Sequence, residues 1–167
     1  MSIDVIIRPA VASDASGIVD VVNPIIDAGV YTAFDTPFTV EGERRYIEAF
    51  PARGIFQVAV AGDAVVGFQS MEPFATYTHA FDHVGVLGTY VELSRRRMGI
   101  GSALFEATFE EARRKQYEKL FTYILVHNVA ALRAYTKHGF SIVGTARRHA
   151  RIRNHDVDML VVERLLS

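Results

Sequence analysis

The feature that most constrains this chain is a change of hydrophobic period between Val84 and Gln116. Val84 to Val91 is an almost uninterrupted β-prone apolar run, as a buried strand requires. It passes through Gly88-Thr-Tyr-Val-Glu-Leu-Ser-Arg-Arg-Arg-Met-Gly-Ile-Gly101 into a segment whose apolar side chains recur at helical spacing. Leu104, Phe105, Thr108, Phe109 and Ala112 share one helical face, and Glu106, Glu110, Glu111, Arg113, Arg114 and Lys115 fall outside it. Glu110 with Arg114, and Glu111 with Lys115, stand acid-first at i, i+4, which adds support. The spacing predicts a strand, a glycine turn and a helix from Gly99 to Gln116.

Such a helix start can hold an anion. Its first amides have no intrahelical carbonyl, and the positive end of the dipole lies there. Gly99 and Gly101 permit close approach, and Arg95, Arg96 and Arg97 add positive field. Glycines at a helix start also serve merely to shape a turn, and spacing alone leaves both readings open. The Gly-x-Gly-x-x-Gly dinucleotide fingerprint and the Gly-Lys-Ser/Thr of a P-loop are both absent.

The rest of the chain reads as follows. Ile3 to Arg8 is a first strand, ended by Pro9, and Ser13 or Asp14 caps a helix bearing Ile18, Val21, Val22, Ile25 and Ile26. Pro24 predicts a kink or stop near Asn23. The aromatic segment Tyr31 to Phe38 is either a loop over a pocket or a satellite of the core. A helix over Val40 to Phe50 precedes a hairpin, Phe56 to Ala61 and Ala64 to Met71, turning at Gly62-Asp63. Beyond Gln116 come a strand at Leu120 to Val126, a helix at Val129 to Lys137 capped by Asn128 and stopped by Gly139, and strands at Phe140 to Gly144 and Val157 to Leu166 joined by an arginine-rich link. The order β-α-α-β-β-β-α-β-α-β-β implies an α/β fold with a mixed sheet of six to seven strands and helices on both faces.

Composition excludes several function classes. Half of the 167 residues are hydrophobic and the formal charge is −1, which fits one domain over residues 1–167. A near-neutral balance argues against nucleic-acid binding, despite the local cluster Arg147, Arg148, Arg151 and Arg153. The absence of cysteine excludes disulfides and thiol catalysis. No membrane span or signal-peptide pattern is present, so a cytoplasmic protein is expected. His79, Asp82 and His83 lack a fourth ligand at a suitable spacing, and no metal is expected.

Arg96-x-x-Gly99-x-Gly101 after a strand resembles the diphosphate-binding signature of the GNAT acetyltransferase superfamily. Asn128-x-x-Ala131-x-x-x-Tyr135-x-Lys137-x-Gly139-Phe140 resembles that family's second motif. Within the family the chain looks most like the phosphinothricin acetyltransferase group, through Arg8-Pro9-Ala10, Asn23 and His155-Asp156-Val157. The resemblance implies acetyl-CoA as co-substrate, a small-molecule primary amine as acceptor and a possible homodimer. It implies that the backbone of Tyr90 and Val91 pairs with the pantetheine arm, and that Arg96, Arg97, Met98, Gly99, Ile100, Gly101 and Ser102 hold the diphosphate. Asn128 then touches the pantetheine region as well as capping its helix, and Tyr135 protonates the departing thiolate. The group often carries a Glu where this chain has Val86; the nearest titratable alternatives are Glu72, Asp82 and His83, and the base is sought at Glu72 or His83, acting through water. Arg148, Arg151 or Arg153 is available for a substrate carboxylate. Other members of the fold act on polyamines or protein N-termini, and a CoA-binding module without turnover is the competing reading.

Overall fold

A computed structural model describes residues 3–167. The elements follow in the expected order: β1 (Ile6–Pro9), α1 (Ala15–Ala28), α2 (Val40–Glu48), β2 (Ile55–Ala61), β3 (Ala64–Pro73), β4 (Val84–Val91), α3 (Ile100–Arg114), β5 (Lys119–Leu125), α4 (Val129–Lys137), β6 (Ser141–Ile152) and β7 (His155–Leu165). The strands form one mixed sheet in the order β1-β2-β3-β4-β5-β7-β6. Within it β4 and β5 run parallel and the other neighbours run antiparallel.

Alternation along the strands divides the core into two layers. Phe56, Val58 and Phe68 meet Ile18, Val21, Val22, Ile25 and Ile26 of α1 on one face. On the other, Ile55, Met71, Leu87 and Leu120 meet Phe105 and Phe109 of α3 and Tyr135 of α4.

Three local expectations are corrected. β1 begins at Ile6 rather than Ile3, because the Ile3 N–H is taken by the Met98 carbonyl at 3.2 Å, which ties the chain to the glycine turn. α1 runs through Pro24 to Ala28 instead of stopping near Asn23. The hydrogen bond that Pro24 forfeits is offset by burial of Ile25 and Ile26, the two residues that follow it. Asn23 is spent on tertiary contact instead, with Oδ1 accepting from Phe38 N at 2.8 Å and Nδ2 donating to Phe38 O at 3.0 Å. The arginine-rich link is not a link: β6 extends through it to Ile152, and the chain reverses at Arg153 and Asn154, both in the left-handed region at φ 49° and 66°. β6 is an edge strand, exposed along most of its length, so no apolar alternation marks it in the sequence.

One irregularity of the sheet positions everything that follows. β4 and β5 pair only over Val84↔Lys119, Gly85↔Leu120 and Val86↔Phe121. Beyond these rungs, residues 87–91 and 122–125 diverge, and a gap opens between the carboxyl ends of the two strands.

Candidate active site

The gap is framed by the two elements that follow its strands. β4 leads into the turn before α3, and β5 leads through Asn128 into α4. The turn is shaped by two left-handed residues, Arg97 at φ 63° and Gly99 at φ 84°. Gly99 is the N-cap of α3, and the first hydrogen bond of the helix is Ala103 N to Gly99 O at 3.1 Å. The amides of Ile100, Gly101 and Ser102 therefore have no carbonyl within the helix. No acidic residue stands in that first turn. Among the described residues, a Cβ added at Gly99 would meet nothing within 4 Å, and one at Gly101 would meet only Val91 Cγ2 at 4.0 Å. The space in front of these amides is open, and its polarity suits an anion such as a diphosphate.

Tyr135 projects from α4 beneath the sheet, against Phe105 and Phe140 with ring centroids 5.0 Å away in each case. Its phenol meets Thr89 Oγ1 at 2.9 Å, and Thr89 lies on the part of β4 that has left β5. Thr89 in turn accepts from Gln69 Nε2 at 2.7 Å. Burial pushes the Tyr135 phenol well above its usual range, against a lowering contribution from the Thr89 contact, so the group is a protonated donor at neutral pH.

Asn128 uses both ends of its amide. Oδ1 accepts from Ala131 N at 3.1 Å, the expected helix cap, and Nδ2 donates to Tyr31 O at 3.1 Å. The neighbouring His127 Nε2 donates to Val30 O at 3.1 Å. The Tyr31 ring carries the Arg96 guanidinium 4.1 Å from its centroid. Segment 29–38 is thereby fastened to both borders of the gap. Phe34 lies over Tyr90 with centroids 6.1 Å apart, while Phe38 packs on the α1 core. The core-satellite reading of this aromatic segment holds at Phe38. Burial pushes the Tyr90 phenol up to about 12, partly offset by a hydrogen bond with Thr32.

The two candidate bases are placed very differently. His83 lies just before β4, where its carbonyl accepts from Glu118 N and Lys119 N. That is the closed end of the β4–β5 pair, about 20 Å along the strand from Thr89. The structure does not bring His83 to Tyr135. Glu72 stands directly across from Val86 on the neighbouring strand, at the last rung before the gap. It accepts a hydrogen bond from Tyr46 of α2, which fixes it on the α1–α2 face. Burial, and then the bond to Glu72, raise the Tyr46 phenol far above its usual range. Tyr135 and Glu72 thus occupy opposite faces of the sheet on either side of the opening.

Among the arginines, Arg151 pairs with Asp156 at 2.7 Å and Arg153 donates to Asp27 O at 2.8 Å. Arg148 forms no side-chain ion pair or hydrogen bond among the described residues. Sequence reasoning missed Thr89, Gln69 and Tyr46. The first two carried a signal, since Gln57, Gln69 and Thr89 put polar groups on a sheet face built largely of apolar side chains.

Comparison with known proteins identifies the family and the fold. The profile of the Acetyltransferase (GNAT) family matches residues 28–140. The chain is 29% identical over 153 residues to a phosphinothricin N-acetyltransferase from Streptomyces coelicolor, covering 89% of this chain and 88% of the relative. An N-acetyltransferase structure from Staphylococcus aureus superposes with a TM-score of 0.90 at 24% identity, over 98% of this chain and 99% of the other. A phosphinothricin acetyltransferase structure from Sinorhizobium meliloti, solved in complex with acetyl-CoA, gives 0.88 at 19% identity, over 98% and 89%. The family match spans more than half of the sequence, and the chain belongs to the acetyltransferase (GNAT) family.

Proposed function

We propose that this GNAT acetyltransferase moves the acetyl group of acetyl-CoA to the primary amine of a small molecule, an amino-acid analogue of the phosphinothricin or methionine sulfoximine type. The observation that carries the reading is the convergence, at one gap in the sheet, of the open amide end of α3 and the Tyr135 phenol held by Thr89. The likeness to the Streptomyces coelicolor enzyme supports the acceptor class.

The residues present fit acetyl-CoA. The amides of Ile100, Gly101 and Ser102 hold the diphosphate, with Arg96, Arg97, Met98 and Gly99 shaping the approach. Beyond Val86 the edge of β4 facing β5 has no strand partner, so the backbone at Tyr90 and Val91 is available to the pantetheine arm. The co-substrate supplies an activated acyl carbon. An amine on the α1–α2 side attacks that carbon directly, Glu72 takes the proton from nitrogen, through water if needed, and Tyr135 gives its proton to the departing sulfur. No covalent enzyme intermediate is needed. Acid and base on opposite faces of the gap avoid contact with each other, so neither neutralises the other before the amine arrives. Arg148, with its guanidinium uncommitted among the described residues, is the candidate partner of a substrate carboxylate. The exposed Ile142 and Val143 on edge strand β6 offer a surface for the homodimer that belongs to this reading, which is set in the cytoplasm. Among the described residues, no helix is long and apolar enough to cross a membrane.

The test is a panel of amines assayed by thiol released from acetyl-CoA. Phosphinothricin and methionine sulfoximine are expected to turn over well ahead of polyamines and peptide N-termini. Preference for a polyamine or a peptide overturns the acceptor class, and CoA binding without thiol release from any amine favours a module without turnover.

A further inference from the structure

The buried polar groups beneath the sheet are costly to keep. Gln69 is fully buried between Gln57 and Thr89 of the neighbouring strands, and its Oε1 has no hydrogen-bond partner among the described residues. An unpaired buried acceptor is destabilising, and a Leu or Met of similar volume would remove the penalty. Natural cores place such a group where something other than stability requires it. What Gln69 does is donate to Thr89 Oγ1 at 2.7 Å, and Thr89 Oγ1 in turn lies 2.9 Å from Tyr135 Oη.

The proton inventory of this chain of three gives it a direction. A hydroxyl has one hydrogen and two acceptor sites. With the Gln69 amide filling one acceptor site of Thr89, the Thr89 hydrogen has one acceptor in reach among the described residues, Tyr135 Oη. If Tyr135 donates to Thr89 instead, the Thr89 hydrogen has no partner among the described residues; if Thr89 donates to Tyr135, the unpaired hydrogen is the phenolic one, which borders the gap. The second order, Gln69 N–H to Thr89 and then Thr89 O–H to Tyr135, is the one that leaves the phenolic hydrogen free to turn toward a thiolate.

We propose that Gln69 and Thr89 are positioning residues that aim the Tyr135 proton at the departing sulfur and stabilise the phenolate that remains. The step balances. The C–S bond breaks with its electron pair on sulfur, the phenolic proton passes from Tyr135 to that sulfur, and the negative charge moves to Tyr135 Oη, where the Thr89 hydroxyl already donates. Solvent then restores the phenol, while the proton lost by the amine leaves through Glu72. Hydrogen bonds to a charged oxygen are stronger than those to a neutral one, so the relay acts more on the product of proton transfer than on the resting phenol.

This inference rests on the reading of Tyr135 as the acid, and the experiment separates the two. Steady-state kinetics are measured for Thr89→Val, Thr89→Ser, Gln69→Leu, Tyr135→Phe and the double variant Thr89→Val/Tyr135→Phe, with equilibrium binding of CoA and thermal unfolding of each. Thr89→Val is expected to lower kcat about 10- to 100-fold with CoA affinity unchanged, as loss of a hydrogen bond to a developing charge should. Thr89→Ser, which keeps the hydroxyl, is expected to retain most of the rate. Gln69→Leu is expected to lower kcat while leaving the unfolding temperature unchanged or higher. In the Tyr135→Phe background the Thr89→Val change is expected to add nothing, because the relay has no phenol to act through. If Tyr135→Phe is slow but Thr89→Val keeps the parental kcat, or if the two losses multiply, the relay is overturned and the acid stands. If Tyr135→Phe keeps the parental kcat, the acid reading falls and the relay falls with it.

Discussion

Asn128→Ala removes two hydrogen bonds that serve different ends, and the structure allows them to be separated. Its Oδ1 caps α4 through Ala131 N, and loss of an N-cap costs about 1 kcal/mol. Its Nδ2 holds the carbonyl of Tyr31, part-buried at the edge of the gap, and leaving that acceptor unpaired costs about 1 kcal/mol more. Asn128→Ala is therefore expected to lose about 2 kcal/mol in urea-induced unfolding. Asn128→Ser keeps an oxygen for Ala131 but has no donor that reaches Tyr31, and should lose about half as much. The two variants should agree on segment 29–38. Both free Tyr31, so both should raise the rate of limited proteolysis within that segment and raise KM for the amine. Equal stability of Ser and Ala variants would refute the cap, and parental proteolysis in both would refute the fastening of the segment.

Three further outcomes follow from the geometry. Gly101→Val should weaken CoA binding at least about tenfold in equilibrium titration, because the added side chain projects into the space before the α3 amides; the open surroundings of its Cβ keep the fold intact, and unaltered affinity would place the diphosphate elsewhere. Glu72→Gln should lower kcat/KM at least about tenfold, whereas His83→Ala, at the closed end of the β4–β5 pair, should leave it in place; the opposite pattern would restore His83 as the base. Arg8, with the Val11 N–H, holds the Asp14 carboxyl below the usual range against the opposing effect of burial. Its contribution is fully present above about pH 4 and is lost as pH falls through the lowered folded value. Asp14→Asn should therefore cost about 1–2 kcal/mol at pH 7 and flatten the acid limb of the stability profile, and an unchanged limb would assign acid unfolding to other carboxylates.

The sequence discloses those parts of the site that depend on backbone. The turn at Gly99 to Gly101 and the Asn128 cap are legible because helix starts need particular residue types at fixed offsets. α4 was readable to its bounds for the same reason, being closed by Asn128 at one end and Gly139, at φ 84°, at the other. Of the kink or stop read at Pro24, the stop fails because propensity is local while the burial of Ile25 and Ile26 is tertiary. The part of β6 beyond Gly144 is hidden because an exposed edge strand has no face to bury, and its arginines read as a solvated link. The separation of His83 from the site lies in where β4 and β5 part, three rungs after Val84, which no local pattern encodes. Thr89 and Gln69 meet Tyr135 across three elements, so their partnership exists only in the register of the sheet and the docking of α4.

Acid catalysis by Tyr135 requires the thioester to lie in the gap between β4 and β5, above the phenol. A crystal structure of the protein with CoA tests this directly. The account predicts the diphosphate on the amides of Ile100, Gly101 and Ser102, the pantetheine arm along Tyr90 and Val91, and the sulfur within hydrogen-bond reach of Tyr135 Oη. CoA bound with its sulfur outside the gap, or on the far side of the sheet from Tyr135, would contradict it.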